Sequence, residues 1–139
     1  MPLNYTLSLI KPWAFSQDLT GPILHVVNQN GFHIRAMKLI HLSKEQAGEF
    51  YEVHRGKPFY DDLIDFMSSG PIVAMILEKE NAVVEYRKLM GATDPVEACV
   101  GTIRRMFAES KSHNAVHGSD SDENAIRESN FFFNVLERY

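Results

Sequence analysis

Ile72-Val73-Ala74-Met75-Ile76-Leu77 is an unbroken apolar run, preceded by the pair Gly70-Pro71. With no polar alternation, it reads as a strand buried on both faces and therefore central in its sheet. Its neighbours are placed outward from it. Upstream, Tyr60, Leu63, Ile64 and Met67 recur at helical spacing, and Gly70-Pro71 stops that helix. Ser43 opens an earlier helix, with Glu45 or Gln46 in the capping turn and Ala47, Phe50, Tyr51 and His54 along one face. Residues 32–42 read as a second strand. Phe32, Ile34 and Ala36 share one phase, Lys38 breaks it and Leu39 falls on the other, which places a bulge near Lys38.

At the start of the chain Tyr5, Leu7 and Leu9 alternate with Thr6 and Ser8, a strand ending at Lys11-Pro12. Leu19, Ile23, Val26 and Val27 mark a helix, with Asp18 or Thr20 as its cap and Asn30-Gly31 as its end. Beyond the central run, Val83, Tyr86 and Met90 form a helix face closed by Gly91. Residues 91–114 are a long connection with a helical turn or two around 102–108, and connections of that length are functional or disordered. Val116-His117 is a short last strand. Ser121 caps a last helix with Asp122 and Glu123 in its first turn. The strand and helix order predicts an α+β, ferredoxin-like sandwich: a four-stranded antiparallel sheet (βαββαβ) with helices packed on one face and a long loop before the last strand.

The 139 residues suit one domain spanning 1–139. Apolar residues at 45% and charged ones at 23% exclude a disordered chain. A single cysteine, Cys99, excludes an intrachain disulfide framework and a multi-cysteine zinc site. It fits a reducing compartment and is expected to pack inertly, buried or half-exposed. A net charge of −4 disfavours a broad nucleic-acid surface, so no specific nucleic-acid partner is expected. No run approaches a membrane span. Met1-Pro2-Leu3-Asn4 leads straight into a strand without a basic-then-apolar leader, so a cytoplasmic protein is expected.

Neither Gly-x-x-x-x-Gly-Lys-[Ser/Thr] nor Gly-x-Gly-x-x-Gly occurs, so any bound phosphate must be held by side chains. Lys11 at a strand end, Arg87 on a helix and Arg104 in the long connection are the candidates. Each alone reads equally as a solvated charge. His117 lies at a strand end beside Gly118, which leaves room for a ligand next to the ring. Imidazole is a nucleophile near pH 7, and a helix carboxylate such as Glu128 would fix its tautomer. Taken alone, the same stretch also reads as a histidine leading into a capped helix, with Ser119, Asp120 and Ser121 as turn and cap residues. His54 is a second pocket candidate. His25 and His33 read as core-edge residues and His41 as solvent-facing. No spacing of histidines and carboxylates suggests a transition-metal site. Phe59, after Gly56-Lys57-Pro58, is either a stacking platform for a base or a hydrophobic hinge between two helices.

Together these residues resemble the nucleoside diphosphate kinase family, over essentially the whole chain. The resemblance is carried by residues 6–12, 54–60, 69–71, 86–95 and 101–104, and above all by Asn114-Ala115-Val116-His117-Gly118-Ser119-Asp120-Ser121. It implies a ping-pong phosphoryl transfer. A nucleoside triphosphate gives its γ-phosphate to His117, and the phosphohistidine passes it to a nucleoside diphosphate. It further implies Nδ1 as the attacking atom, Glu128 orienting the ring and Ser119 supporting that contact. Lys11 and Tyr51 would meet the transferred group, and Lys11 with Asn114 the ribose hydroxyl. Arg87, Thr93 and Arg104 would bind the other phosphates, with His54 near them, and Phe59 would stack on the base. Mg²⁺ would ride on the phosphates, with Asp120 reaching it through water. A homo-oligomer is implied; Trp13, Phe15 and Phe131-Phe132-Phe133 are candidates for its exposed apolar surface or for the core.

Two departures from the family pattern stand out. Trp13 occupies the place of an acidic residue after Lys-Pro, and Ser112-His113 replaces glycine and arginine before the Asn-x-x-His string. Two other readings of the chain are a silent nucleotide-binding module and a nucleic-acid or protein-interaction sheet. The first needs no nucleophile, yet His117 is intact. The second needs an aromatic-rich strand motif that is absent.

Overall fold

The computed structural model describes residues 2–139. In chain order the elements are β1 (Tyr5–Ile10), α1 (Pro12–Ser16), α2 (Thr20–Gln29), β2 (His33–Ile40), α3 (Lys44–Phe50), α4 (Tyr60–Met67), β3 (Ile72–Glu78), α5 (Ala82–Met90), α6 (Ile103–Phe107), β4 (Val116–Gly118) and α7 (Asp122–Phe132). Short 3₁₀ turns follow α3 and α7. The four strands form one antiparallel sheet in the order β2-β3-β1-β4. The ferredoxin-like α+β architecture is as the pattern of strands and helices predicts.

The central run behaves as its composition dictates. Ile72, Ala74 and Ile76 face a core built with α3, α4 and α7, which includes Ala47, Phe50, Ile64, Met67 and Phe132. Val73, Met75 and Leu77 face a second core with Ile23, Val27, Ala82, Tyr86, Met90 and Ile103. Helices therefore cover both faces of the sheet, not one. A strand apolar on both sides needs cover on both sides.

Several local expectations are corrected. The bulge in β2 falls at Arg35, where the register skips from Ile34 opposite Leu77 to Ala36 opposite Ile76. It does not fall at Lys38, which pairs normally with Ala74. The Lys11-Pro12 stop is itself a helix start: proline has no N–H to lose at a first helical position, and α1 begins there. Neither Asp18 nor Thr20 caps α2; Leu19 occupies the cap position without a side-chain bond, and Asp18 takes a left-handed turn at φ 59°. His25, His33 and Cys99 are exposed. Phe132 and Phe133 are core residues and Trp13, Phe15 and Phe131 are half-buried. The exposed large apolar side chains are others, among them Met37 and Leu39 on the edge strand β2 and Leu136 near the C-terminus.

The remaining caps match expectation. Ser43 and Gln46 form a capping box, Ser121 Oγ accepts from the Asn124 N–H, and Gly91 closes α5 at φ 83°. Among the described residues, no helix is long and apolar enough to cross a membrane.

Candidate active site

β4 pairs only with β1, setting Leu9 opposite His117 and Ser8 opposite Gly118. This places His117 at the sheet edge where α5 approaches from one face and α7 from the other. His117 Nε2 lies 2.8 Å from Glu128 Oε1, a carboxylate on α7. Ser119 Oγ donates to the same oxygen at 2.9 Å and accepts from the Leu7 N–H at 3.3 Å. The second carboxylate oxygen is 3.7 Å from Arg127 Nη2. Glu128 and Ser119 are buried, so the imidazole is held from behind by a fixed network. A carboxylate only accepts, which puts the ring proton on Nε2 and the free lone pair on Nδ1. Phe50 and Tyr51 wall the ring, with centroids 5.5 and 6.3 Å away.

His117 opens into a cavity of about 410 Å³. Tyr51, His54, Arg87, Thr93, Arg104, Asp120 and Glu128 line it too. A second cleft, of about 320 Å³, holds Lys11, Phe59 and Asn114. The two are linked by the His54 and Phe59 rings, 5.4 Å apart, and by Arg104 Nε donating to the Asn114 carbonyl at 3.3 Å. All residues expected at the site thus gather in two connected hollows, apart from Ser119, which lies fully buried behind Glu128. Phe59 is 48% exposed, with His54 and Lys57 beside its ring.

The electrostatics are uneven. Lys11 Nζ donates to Asn114 Oδ1 at 2.7 Å. Loss of hydration, with the Arg104 guanidinium nearby, brings Lys11 down to about 7. Tyr51 is pushed far above the usual phenol range by burial and then by Glu128, so it stays a neutral donor. Asp120 is held below the usual carboxylate range, chiefly by the Asn124 amide, which donates to it at 2.6 Å. Arg104 spends three donors on the carbonyls of Asn114, Gly91 and Val116, leaving two of the guanidinium's five for a ligand. Among the described residues no cluster of three or more His, Cys, Asp or Glu could cage a metal ion. A lone exposed aspartate beside arginines fits an ion that arrives on a phosphate chain.

Two expectations need revision. Gly118 does not leave room for a ligand: a Cβ there would lie 2.8 Å from both Met90 Sδ and Tyr86 Cδ2, so the missing side chain serves the packing of β4 on α5. Asn124 and Arg127, which the sequence motifs do not single out, also line the cavity. With Glu128 they share one helix face at i, i+3 and i+4, but only the docking of α7 turns that face into the cavity.

The family model for nucleoside diphosphate kinase matches residues 4–137. The chain is 54% identical to the nucleoside diphosphate kinase of Lawsonia intracellularis, over 98% of this chain and 99% of that one. It is 59% identical to that of Nitratiruptor sp., over 94% and 96%. The crystal structure of the Aquifex aeolicus enzyme superposes with a TM-score of 0.96 at 44% identity, covering 98% of this chain and 99% of that one. The apo enzyme of Encephalitozoon cuniculi gives 0.93 at 31%, covering 99% and 93%. Alike in sequence and in fold over nearly its whole length, the chain belongs to the nucleoside diphosphate kinase family, enzymes that move phosphoryl groups between nucleotides.

Proposed function

We propose that the chain transfers the γ-phosphoryl group of a nucleoside triphosphate to a nucleoside diphosphate by a ping-pong route through phosphorylated His117. The observation that carries this is the Glu128–His117 contact at Nε2, which leaves Nδ1 as the free nucleophile in a cavity lined by arginines. In the first half-reaction the Nδ1 lone pair forms a P–N bond as the bond from phosphorus to the bridging oxygen breaks, releasing the diphosphate. Charge growing on the ring is met by Glu128 through the Nε2 proton. In the second, a terminal oxygen of the acceptor diphosphate attacks phosphorus and the P–N bond breaks.

Such a step depends on positioning and on neutralising oxygen charge. Arg87, Thr93 and the two spare Arg104 donors hold the phosphates, with His54 at their side. Lys11 and the Tyr51 hydroxyl meet the transferred group. Lys11 and Asn114 take the ribose, and Phe59 stacks on the base. Stacking uses a π-face that every base has, which favours breadth over discrimination. Mg²⁺ bound to the nucleotide would supply further charge neutralisation, and Asp120 would be the carboxylate that meets it through water. The proposal extends to a homo-oligomer in the cytoplasm. The exposed Met37 and Leu39 on the edge strand support self-association, which sedimentation would test.

The decisive experiment incubates the protein with γ-labelled ATP and Mg²⁺ without acceptor. An acid-labile, base-stable label that moves to added GDP is expected. Turnover with no covalent label on rapid quenching would overturn the ping-pong route.

A further inference from the structure

The two departures from the family pattern touch each other. The Trp13 and His113 rings are stacked, with centroids 5.5 Å apart and planes 3° from parallel. Phe66 also approaches His113, at 5.5 Å and inclined by 28°. His113 therefore stacks with an aromatic ring of α1 and with one of α4.

Each ring is next to something the site uses. Trp13 follows Lys11-Pro12, and His113 directly precedes Asn114, the partner of Lys11. Phe66 also lines the cleft that holds Lys11, Phe59 and Asn114. One wall of that cleft is α4 with Phe59 at its cap; the other includes Lys111, Ser112 and Asn114. Local bonds shape the second wall: the Ser110 hydroxyl accepts from the His113 N–H, and the His113 carbonyl accepts from the Glu109 N–H. Those bonds fold the loop on itself and do not attach it to α4. The ring contacts of His113 do.

We propose that Trp13, His113 and Phe66 act as a clamp that holds the 111–114 segment against α4 and so sets the width of the nucleoside cleft. They are positioning residues: none is assigned to the nucleotide, and their effect passes through Asn114 and the gap facing Phe59. The inference rests on reading this cleft as the nucleoside site. It predicts a selective effect. Loosening the clamp weakens binding of the nucleoside part and spares the phosphate part, which is held by Arg87, Thr93 and Arg104.

The test compares binding of ADP and of inorganic pyrophosphate, by calorimetry, to the wild type, His113→Ala, His113→Phe and Phe59→Ala. His113 is partly exposed, which makes its truncation tolerable to the fold; Trp13→Leu is the second variant. The expected result is a loss of about three- to tenfold in ADP affinity for His113→Ala and Trp13→Leu, the scale of one aromatic contact. Pyrophosphate affinity stays unchanged, and His113→Phe, which keeps a ring between α1 and α4 residues in the cluster, restores ADP binding. If Phe59→Ala loses ADP affinity while His113→Ala and Trp13→Leu do not, the clamp is wrong. An equal loss for ADP and pyrophosphate would also overturn it. If Phe59→Ala has no effect on ADP, the reading of the cleft fails instead.

Discussion

The ring of Tyr51 stands at 89° to that of His117, with centroids 6.3 Å apart, and its buried hydroxyl has no hydrogen-bond partner among the described residues. An unmatched buried hydroxyl costs stability unless something else uses it. On the proposed route, a phosphoryl oxygen on His117 would be that something. Tyr51→Phe should therefore leave the melting temperature unchanged or slightly raised, while the transfer rate falls by about 10- to 100-fold, the worth of one hydrogen bond to a charged group. Thermal melts beside stopped-flow phosphorylation of His117 check both halves. A melt lowered by several degrees would show that the hydroxyl serves the fold.

Lys11 ties pH to both stability and binding. Its pKa is about 7 in the fold against 10.5 for the free side chain. Between those values the unfolded chain holds a proton that the folded one lacks, so stability rises with pH from 7 to about 10.5. Below 7 the full cost of a charged, desolvated lysine is present. Lys11→Met should raise the melting temperature most at pH 6–7, and the gain should shrink towards pH 10. Phosphates favour the charged lysine, so ADP binding takes up a proton above pH 7. Calorimetry in two buffers of different ionisation enthalpy will show this uptake; its absence would remove Lys11 from the binding site.

Glu128→Gln keeps the size of the side chain and removes the charge opposite His117 Nε2. The transfer rate should fall by about 10- to 100-fold, as for other partners that orient an imidazole. ADP affinity should hold within about twofold, because Glu128 faces the ring and not the phosphates. His117→Ala should abolish the covalent label and keep nucleotide binding. Quenched-flow labelling with parallel calorimetry separates the two effects.

Gly118→Ala places a Cβ 2.8 Å from Met90 Sδ and Tyr86 Cδ2. Overpacking of this kind costs about 1–3 kcal/mol. Trimming the more flexible neighbour in the double variant Gly118→Ala/Met90→Ala should recover part of it. Urea denaturation of the four members of the cycle measures the coupling, and additivity would mean that the contact is relieved elsewhere.

The sheet was legible because the residues 72–77 run, the alternation of Tyr5, Leu7 and Leu9, and the Gly91 stop are local signals. The bulge at Arg35 was not, since it appears only when β2 is laid against β3, one residue out of step. The exposed His25 and His33 show the same limit: neighbours in sequence do not reveal which way a helix or edge strand is turned. At the site, Lys11, His117 and Arg104 were readable as chemistry. The lining roles of Asn124 and Arg127 depend on α7 docking beside β1, which no local pattern states. The partnership of Trp13 with His113 joins residues a hundred apart in number.

The pairing of β4 with β1 has a consequence for biosynthesis. Leu7 and Ser119 hydrogen-bond across 112 positions of chain, and Glu128 lies further on still. A ribosome that has delivered β1, β2 and β3 has made most of the sheet, yet neither His117 nor Glu128. The His117–Glu128 pair can therefore be assembled only at the end of synthesis, when the last strand closes on the first and α7 packs beside it.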